Sequence, residues 1–288
     1  MIKTTYFTAI LSFSILSSLL SNLTYAHGRY ILPSHTLLSG KEPQYVTLSA
    51  SISNDVFHPD KPLGNNGGGK VNSFLDGIFR QIEAAIIMPD GSKSDGIHWR
   101  AYARQSLADI KLEESGTYKI FFRQPTTLLT TFKKSDGEES RMFGNDTPLP
   151  KGATDIVHHT IASQVETYIS HNAPNQNALK STGKGLELIA HTHPNDLFVK
   201  EDTDFQLVLD GKPVPEGTLV NLTKEGTRHR NQRETTKIKT DSKGHFQINF
   251  THPGFYLLDV EITAPGKPEE NVSFHHHSLY VTLEVYPE

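Results

Sequence analysis

Short runs of alternating apolar and polar residues cover most of this 288-residue chain, and this pattern restricts the fold more than any other feature. A period of two is typical of half-buried β-strands, because successive side chains of a strand point to opposite faces of a sheet. Gly, Pro, Asn and Asp separate the runs, and helical periodicity is nearly absent. The sequence therefore predicts an all-β fold. The predicted strands are 29–32, 45–53, 81–88, 107–112, 117–123, 128–133, 161–170, 186–190, 204–209, 219–224, 236–240, 245–250, 255–263 and 279–285.

One turn motif occurs in both halves of the chain. Gly116 is followed two residues later by Tyr118, and Gly254 by Tyr256, each at the start of a predicted strand. In β-sandwiches a glycine at such a turn accepts a positive φ, and the tyrosine packs at the corner between strands. We therefore expect two immunoglobulin-like or transthyretin-like sandwich domains, one at 27–180 with long loops and one at 186–288.

The first 26 residues have the features of a cleaved signal peptide. Lys3 supplies a short basic region, the stretch 7–20 is apolar, and the small residue Ala26 suits the cleavage site. Serines interrupt the apolar stretch, which is shorter than the ~20 residues that span a bilayer. We expect export to the periplasm, a mature chain that begins at His27, and no membrane-spanning segment.

Composition limits the chemistry that the folded chain offers. There is no cysteine, which excludes disulfides, thiolate catalysis and thiolate metal ligands. The chain has 15 histidines, whose imidazoles favour copper(II), nickel(II) or zinc(II) over calcium or copper(I). The formal charge is −4 and no dense block of Lys and Arg is present, which speaks against nucleic acid as a partner.

The predicted amino-terminal histidine is the leading candidate for a metal ligand. The α-amine and the imidazole of His27 can close a chelate ring on one ion, and both give up a proton at little cost near neutral pH. Two loops in which a histidine precedes a proline, at His58 and His193, offer partners. Of the two histidines His191 and His193 in the second loop, we expect His193 to be the ligand. The predicted ligands are His27, His193 and His58, with Asp55, Asp60 and Asp196 as carboxylates that orient the imidazoles.

Other motifs give weaker signals. The run His275-His276-His277 alternates in direction along a strand, so its three rings reach one ion only at a bulge. The sequence has no serine-hydrolase elbow, phosphate-binding loop, zinc-protease helix or dinucleotide-binding unit, and we do not expect an enzyme. Two alternatives stay open: a copper-dependent polysaccharide oxygenase with an amino-terminal histidine, and a non-catalytic structural or adhesion module.

Six short motifs, taken in order, resemble one protein family. They are AHGRYILPS at 26–34, LSG at 38–40, SNDVF at 53–57, PKGATD at 150–155, TGKGLEL at 182–188 and THPND at 192–196. They resemble the domain-of-unknown-function family of periplasmic NikK/CbiK-like proteins linked to nickel and cobalt uptake. The resemblance implies a β-rich periplasmic protein for transition-metal acquisition, with His27 and His193 at matching positions. We therefore predict a periplasmic protein that binds divalent nickel, cobalt, copper or zinc and supports uptake through an inner- or outer-membrane transporter.

Overall fold

The regular structure of the chain consists almost entirely of strands. The computed structural model describes residues 28–64, 82–144 and 147–288. In these ranges the helical segments are the 3₁₀ turns Asn177–Leu179, Thr227–His229 and Pro268–Glu270. None of these turns has the length and apolar character of a membrane-crossing helix. The all-β prediction is confirmed. In chain order the strands are β1 (Gly28–Pro33), β2 (Leu37–Leu38), β3 (Gln44–Ser53), β4 (Lys61–Pro62), β5 (Glu83–Ile87), β6 (Lys93–Ser94), β7 (Arg100–Ala101), β8 (Ser106–Leu112), β9 (Gly116–Lys133), β10 (Glu139–Phe143), β11 (Thr154–His171), β12 (Leu186–Ala190), β13 (Asp202–Leu209), β14 (Lys212–Pro213), β15 (Leu219–Lys224), β16 (Thr236–Lys239), β17 (His245–Asn249), β18 (Gly254–Pro265) and β19 (Phe274–Val285).

Within the described ranges these strands form three sheets. A five-stranded sheet has the order β1-β3-β8-β7, with β4 paired to β3. A ten-stranded sheet has the order β16-β15-β18-β19-β11-β9-β5-β6, with β10 paired to β9 and β2 to β11. A four-stranded sheet contains β12-β13-β14, with β17 also paired to β13. The largest sheet spans both halves of the sequence, because β19 pairs in parallel with β11.

Each smaller sheet packs on one half of the ten-stranded sheet and encloses a hydrophobic core. Leu48 of the five-stranded sheet shares one core with Phe122 of β9. Leu207 of the four-stranded sheet shares the other core with Leu258 of β18. Full burial of one such side chain contributes ~1.5–3 kcal/mol, so both cores hold the layers together. The architecture is two sandwiches that share one central sheet.

The turn motif predicted in both halves is present in both sandwiches. Gly116 has a φ of 131° and Gly254 a φ of 123°, a region that side chains rarely enter. The hydroxyl of Tyr118 donates to the carbonyl four residues upstream at 3.0 Å, and that of Tyr256 does the same at 2.8 Å. These two corners have the tyrosine geometry found in immunoglobulin-like sandwiches.

Strand β9 differs from the sequence prediction, because it continues across the gap predicted between 123 and 128. Pro125 lies in this gap and has no N–H to donate to a sheet ladder. The register against β11 shifts at this point, from Ser163 opposite Gln124 to Ile161 opposite Thr127. The strand therefore accommodates its proline in a bulge and does not end there.

Candidate metal centre

The loop after β3 holds three of the predicted metal-site residues, and it lies beside the start of the described chain. His27 is outside the described residues, together with the predicted signal peptide, so the amine chelate stays a prediction. Gly28 pairs with Ser53 at the end of β3. In the loop that follows, the backbone N–H of His58 donates to the carbonyl of Asp55 at 3.1 Å. The loop therefore lies next to the first residue that the structure describes.

The same loop places His58 next to basic side chains. Arg228 Nη1 donates to His58 Nδ1 at 3.2 Å, and the ring centroids of His58 and His229 are 6.2 Å apart. Asp60 Oδ2 accepts a hydrogen bond from the Ser53 hydroxyl at 3.1 Å. Because a guanidinium repels a cation, His58 would have to leave Arg228 before it bound a metal through Nδ1.

His193 lies in a buried hydrogen-bond network. Its Nδ1 accepts from the backbone N–H of Asn195 at 3.0 Å. Its Nε2 lies 3.1 Å from the carbonyl oxygen of Asn175 and 3.0 Å from Thr117 Oγ1. A carbonyl only accepts, so the ring proton is on Nε2. Burial lowers the pKa of His193, although the charge of exposed Asp196 acts in the opposite direction. A metal at His193 would therefore have to displace one of these partners.

A different group of side chains meets on the outer face of the four-stranded sheet. His191 directly follows β12, Asp204 lies in β13 and His245 begins β17. One ligand atom of each residue lies within 4.8 Å of the others. Asp204 Oδ1 is 3.7 Å from His245 Nδ1, and the rings of His191 and His245 stack with centroids 5.0 Å apart. We call these three residues the His191 cluster.

Backbone hydrogen bonds hold the three positions of the His191 cluster together. The carbonyl of Asp204 accepts from the backbone N–H of His191 at 3.1 Å and of Thr192 at 3.0 Å. The Thr192 hydroxyl in turn accepts from the N–H of Asp204 at 2.9 Å. The N–H of His245 donates to Asp241 Oδ1 at 2.8 Å. The sheet and its two turns therefore fix where each ligand side chain starts.

One ligand-to-ligand distance in the His191 cluster is close to that in a metal site. Bonds of 2.0–2.1 Å in a tetrahedral zinc site put neighbouring ligand atoms about 3.4 Å apart, near the 3.7 Å between Asp204 and His245. The two imidazole planes are only 7° from parallel, so one ring has to turn before both lone pairs converge. His191 is exposed and makes no side-chain hydrogen bond to a described residue, so only its stacking on His245 has to be given up for its ring to turn. Three donors leave at least one coordination position open.

The sequence prediction placed the metal on His193, whereas the cluster contains the other histidine of that pair. Phe205 is completely buried, so its neighbour Asp204 faces outwards, and His191 follows the residue paired with Phe205. Buried Phe246 orients His245 in the same way. The alternation around these phenylalanines is visible in the sequence, but the pairing of the three strands is not.

The histidine run of β19 does not converge on one point. His276 Nε2 lies 3.1 Å from His159 Nδ1, and His275 Nε2 lies 2.8 Å from a carboxylate oxygen of Glu270. His277 has neither contact, and its Nδ1 has no hydrogen-bond partner among the described residues. Among the described residues of the whole chain, the His191 cluster is the group of three or more His, Asp or Glu side chains that is compact enough to hold an ion.

The chain belongs to the family described as domain of unknown function DUF4198, whose family model matches residues 24–264. A search of curated proteins gave no significant match.

Among solved structures, the chain is similar to the D0-D1 domain of intimin, with 10% identity, a TM-score of 0.22, and coverage of 89% of this chain and 97% of that one. Trypsin-activated alpha-2-macroglobulin from Escherichia coli has 12% identity and a TM-score of 0.19, and the match covers 89% of this chain but 16% of the macroglobulin chain. The four N-terminal Ig domains of Dscam1 isoform 4.4 have 8% identity, a TM-score of 0.19, and coverage of 90% and 73%. Likeness at these TM-scores supports no functional argument.

Proposed function

We propose that this protein binds a divalent transition metal at the His191 cluster and supports uptake of that metal. The observation that carries the proposal is the approach of two imidazoles and one carboxylate to within 4.8 Å of one another. Nitrogen and oxygen donors of this kind suit zinc, nickel, cobalt and copper. The lack of cysteine leaves imidazole and carboxylate as the strong metal ligands of the chain.

The open geometry of the cluster supports a role in carrying the ion. Structural zinc sites have four protein ligands, whereas a site with three keeps a position for water or for an incoming ligand. His191 is exposed, so a partner protein can reach the ion and take it over. The resemblance to periplasmic proteins of nickel and cobalt uptake agrees with such a transfer. In this proposal an inner- or outer-membrane transporter receives the ion.

Export and the His27 chelate form a second part of the proposal. Removal of the predicted signal peptide would free the amine of His27 next to the loop that holds His58, because Gly28 pairs with Ser53. Mass spectrometry of the exported protein identifies its first residue. A mature chain that begins at any other residue would contradict the chelate but not the His191 cluster.

The two alternative functions gain less support. A polysaccharide oxygenase needs exposed aromatic rings on which sugars stack, yet Trp99, the one tryptophan of the chain, is 4% exposed and packs on Phe122 with ring centroids 4.7 Å apart. Tyr30 is also buried, so the exposed tyrosines of the described part of the chain are Tyr45 and Tyr102. A purely structural module gives no reason for three ligands to meet on a sheet face.

Calorimetric titration of wild type and two variants with zinc, nickel, cobalt and copper tests the metal site. Asp204→Asn removes the carboxylate charge at nearly constant shape. We expect at least tenfold weaker metal binding, because mutation of a residue that only supports the metal ligands already lowers affinity by about 10–100-fold. Asp202→Asn is the matched control, because Asp202 lies two residues away on the same face of β13. Equal affinities of the two variants, or no binding by wild type, would contradict the proposal.

A further inference from the structure

A pocket of about 280 Å³ opens at the bulge of β9, between the two sandwiches. Gln124 of β9, Ser163 of β11 and His277 of β19 line it, and Lys184 lies in the loop before β12. The β9 bulge at Pro125 separates β9 and β11 locally, because an extra residue interrupts the ladder there. The pocket thus lies at the point where the long strand β9 contains its proline.

Three residues of the pocket each have a buried polar atom without a hydrogen-bond partner. Among the described residues, no group forms a hydrogen bond with Gln124 Nε2, Ser163 Oγ or His277 Nδ1. Gln124 is 3% exposed and Ser163 is 8% exposed. Buried polar groups in native proteins nearly always have a partner, so three such groups around one pocket leave hydrogen-bonding capacity that a ligand can use.

The chemistry of the pocket selects an acceptor with negative charge. Arg29 Nη1 donates to Gln124 Oε1 at 2.9 Å, and since a guanidinium only donates, the amide nitrogen of Gln124 is the group left for a ligand. Lys184 is exposed, and no carboxylate of a described residue lies within 4.0 Å of its ammonium group. Arg123 also lines the pocket, with Glu83 as a distant partner at 4.0 Å.

We propose that this pocket binds a small organic acid whose carboxylate accepts hydrogen bonds from Gln124 and Ser163 and pairs with Lys184. A water occupies ~30 Å³ in the liquid, so the pocket has room for a ligand of roughly nine non-hydrogen atoms, the size of a short dicarboxylate. Pro125 and Leu186 add apolar walls for the methylene groups of such a ligand. An inorganic anion would not use these walls.

Titration with succinate, succinamide and inorganic phosphate tests the proposal on the protein after removal of metal with a chelator. Without metal, a signal from succinate does not arise from chelation at the His191 cluster, so this test is independent of the proposed metal function. We expect succinate to bind at least about tenfold more tightly than its neutral diamide, because a hydrogen bond to a charged group is about twice as strong as a neutral one. Equal binding of succinate and succinamide, equal binding of phosphate, or no binding of succinate would overturn the proposal.

Two substitutions locate the binding within the pocket. Lys184→Gln should weaken succinate binding about tenfold or more, whereas Lys180→Gln, at an exposed lysine outside the pocket lining, should leave it unchanged. Ser163→Ala should also weaken binding, yet it should not lower the melting temperature, because it removes a buried hydroxyl that has no partner. An effect of Lys184→Gln equal to that of Lys180→Gln, or unchanged binding in Ser163→Ala, would show that succinate binds elsewhere.

Discussion

Replacement of His245 by alanine should remove most of the thermal stabilisation that a bound metal gives. A ligand at 100 times its Kd stabilises the folded state by about 2.7 kcal/mol. For a chain of this size each kcal/mol raises the melting temperature by ~2–4 °C, so wild type should gain about 5–11 °C. Loss of one ligand should weaken the site about 100-fold or more, since a structural zinc site with four ligands contributes about 10–16 kcal/mol, or about 2.5–4 kcal/mol per ligand. At the same metal concentration the His245→Ala variant should then gain only about 1 °C.

Differential scanning fluorimetry with and without zinc or nickel measures this difference. The metal concentration is first set from a wild-type titration, so that the comparison is made at the same multiple of the wild-type Kd. His252→Ala is the matched control, because His252 is an exposed histidine just beyond the end of β17, with its Nδ1 2.9 Å from the Thr251 hydroxyl. The full shift in His245→Ala, or an equal loss in both variants, would show that the His191 cluster is not the site.

Three further predictions concern the turn before the cluster, the central sheet and the buried histidine. Gly244→Ala should lower the free energy of unfolding by at least about 2 kcal/mol and weaken metal binding, because a Cβ would lie 2.4 Å from a carbonyl oxygen of β13 at a φ of 77°. Gly217→Ala, with a φ of 79° and open space, should cost only ~1 kcal/mol in the same urea denaturation. Lys119→Met should lower the free energy of unfolding by ~3–5 kcal/mol in the same assay, since Lys119 Nζ lies 2.8 Å from the carboxylate of the fully buried Glu166. A loss below about 1 kcal/mol would contradict this prediction. Burial lowers the pKa of His193 in the folded protein, so the unfolded chain protonates this imidazole more readily. The free energy of unfolding should therefore fall as the pH drops below about 6.5. His193→Gln should reduce this fall, measured as urea midpoints across the same pH range.

The strands were predictable because their signals are local. Alternation of side chains within one strand, and a glycine that precedes a tyrosine at a corner, require no knowledge of distant residues. The predicted strand 186–190 has the bounds of β12, and Tyr118 and Tyr256 take the predicted corner positions. The gap predicted at Pro125 did not form, because β11 pairs with β9 on both sides of the bulge, while β5 pairs with β9 before the bulge and β10 pairs with β9 after it.

The candidate metal site was less predictable, because it depends on strand pairing. His191 and His193 have nearly the same sequence context, and only the structure shows that His193 lies in a buried hydrogen-bond network while His191 reaches Asp204 and His245. His245 is 54 residues beyond His191 in the chain. A choice between the two histidines requires the register of β12, β13 and β17, which long-range packing sets.

The amino-acid sequence by itself determined that this chain forms strands, that both halves turn at tyrosine corners, and that any metal ligands are imidazoles and carboxylates. Tertiary structure alone decided that β19 joins β11 in one ten-stranded sheet, that three distant side chains meet on the four-stranded sheet, and that a pocket opens at Pro125. The physical reason is that periodicity and composition act over a few residues, whereas strand register is set by cores whose members are far apart in the chain.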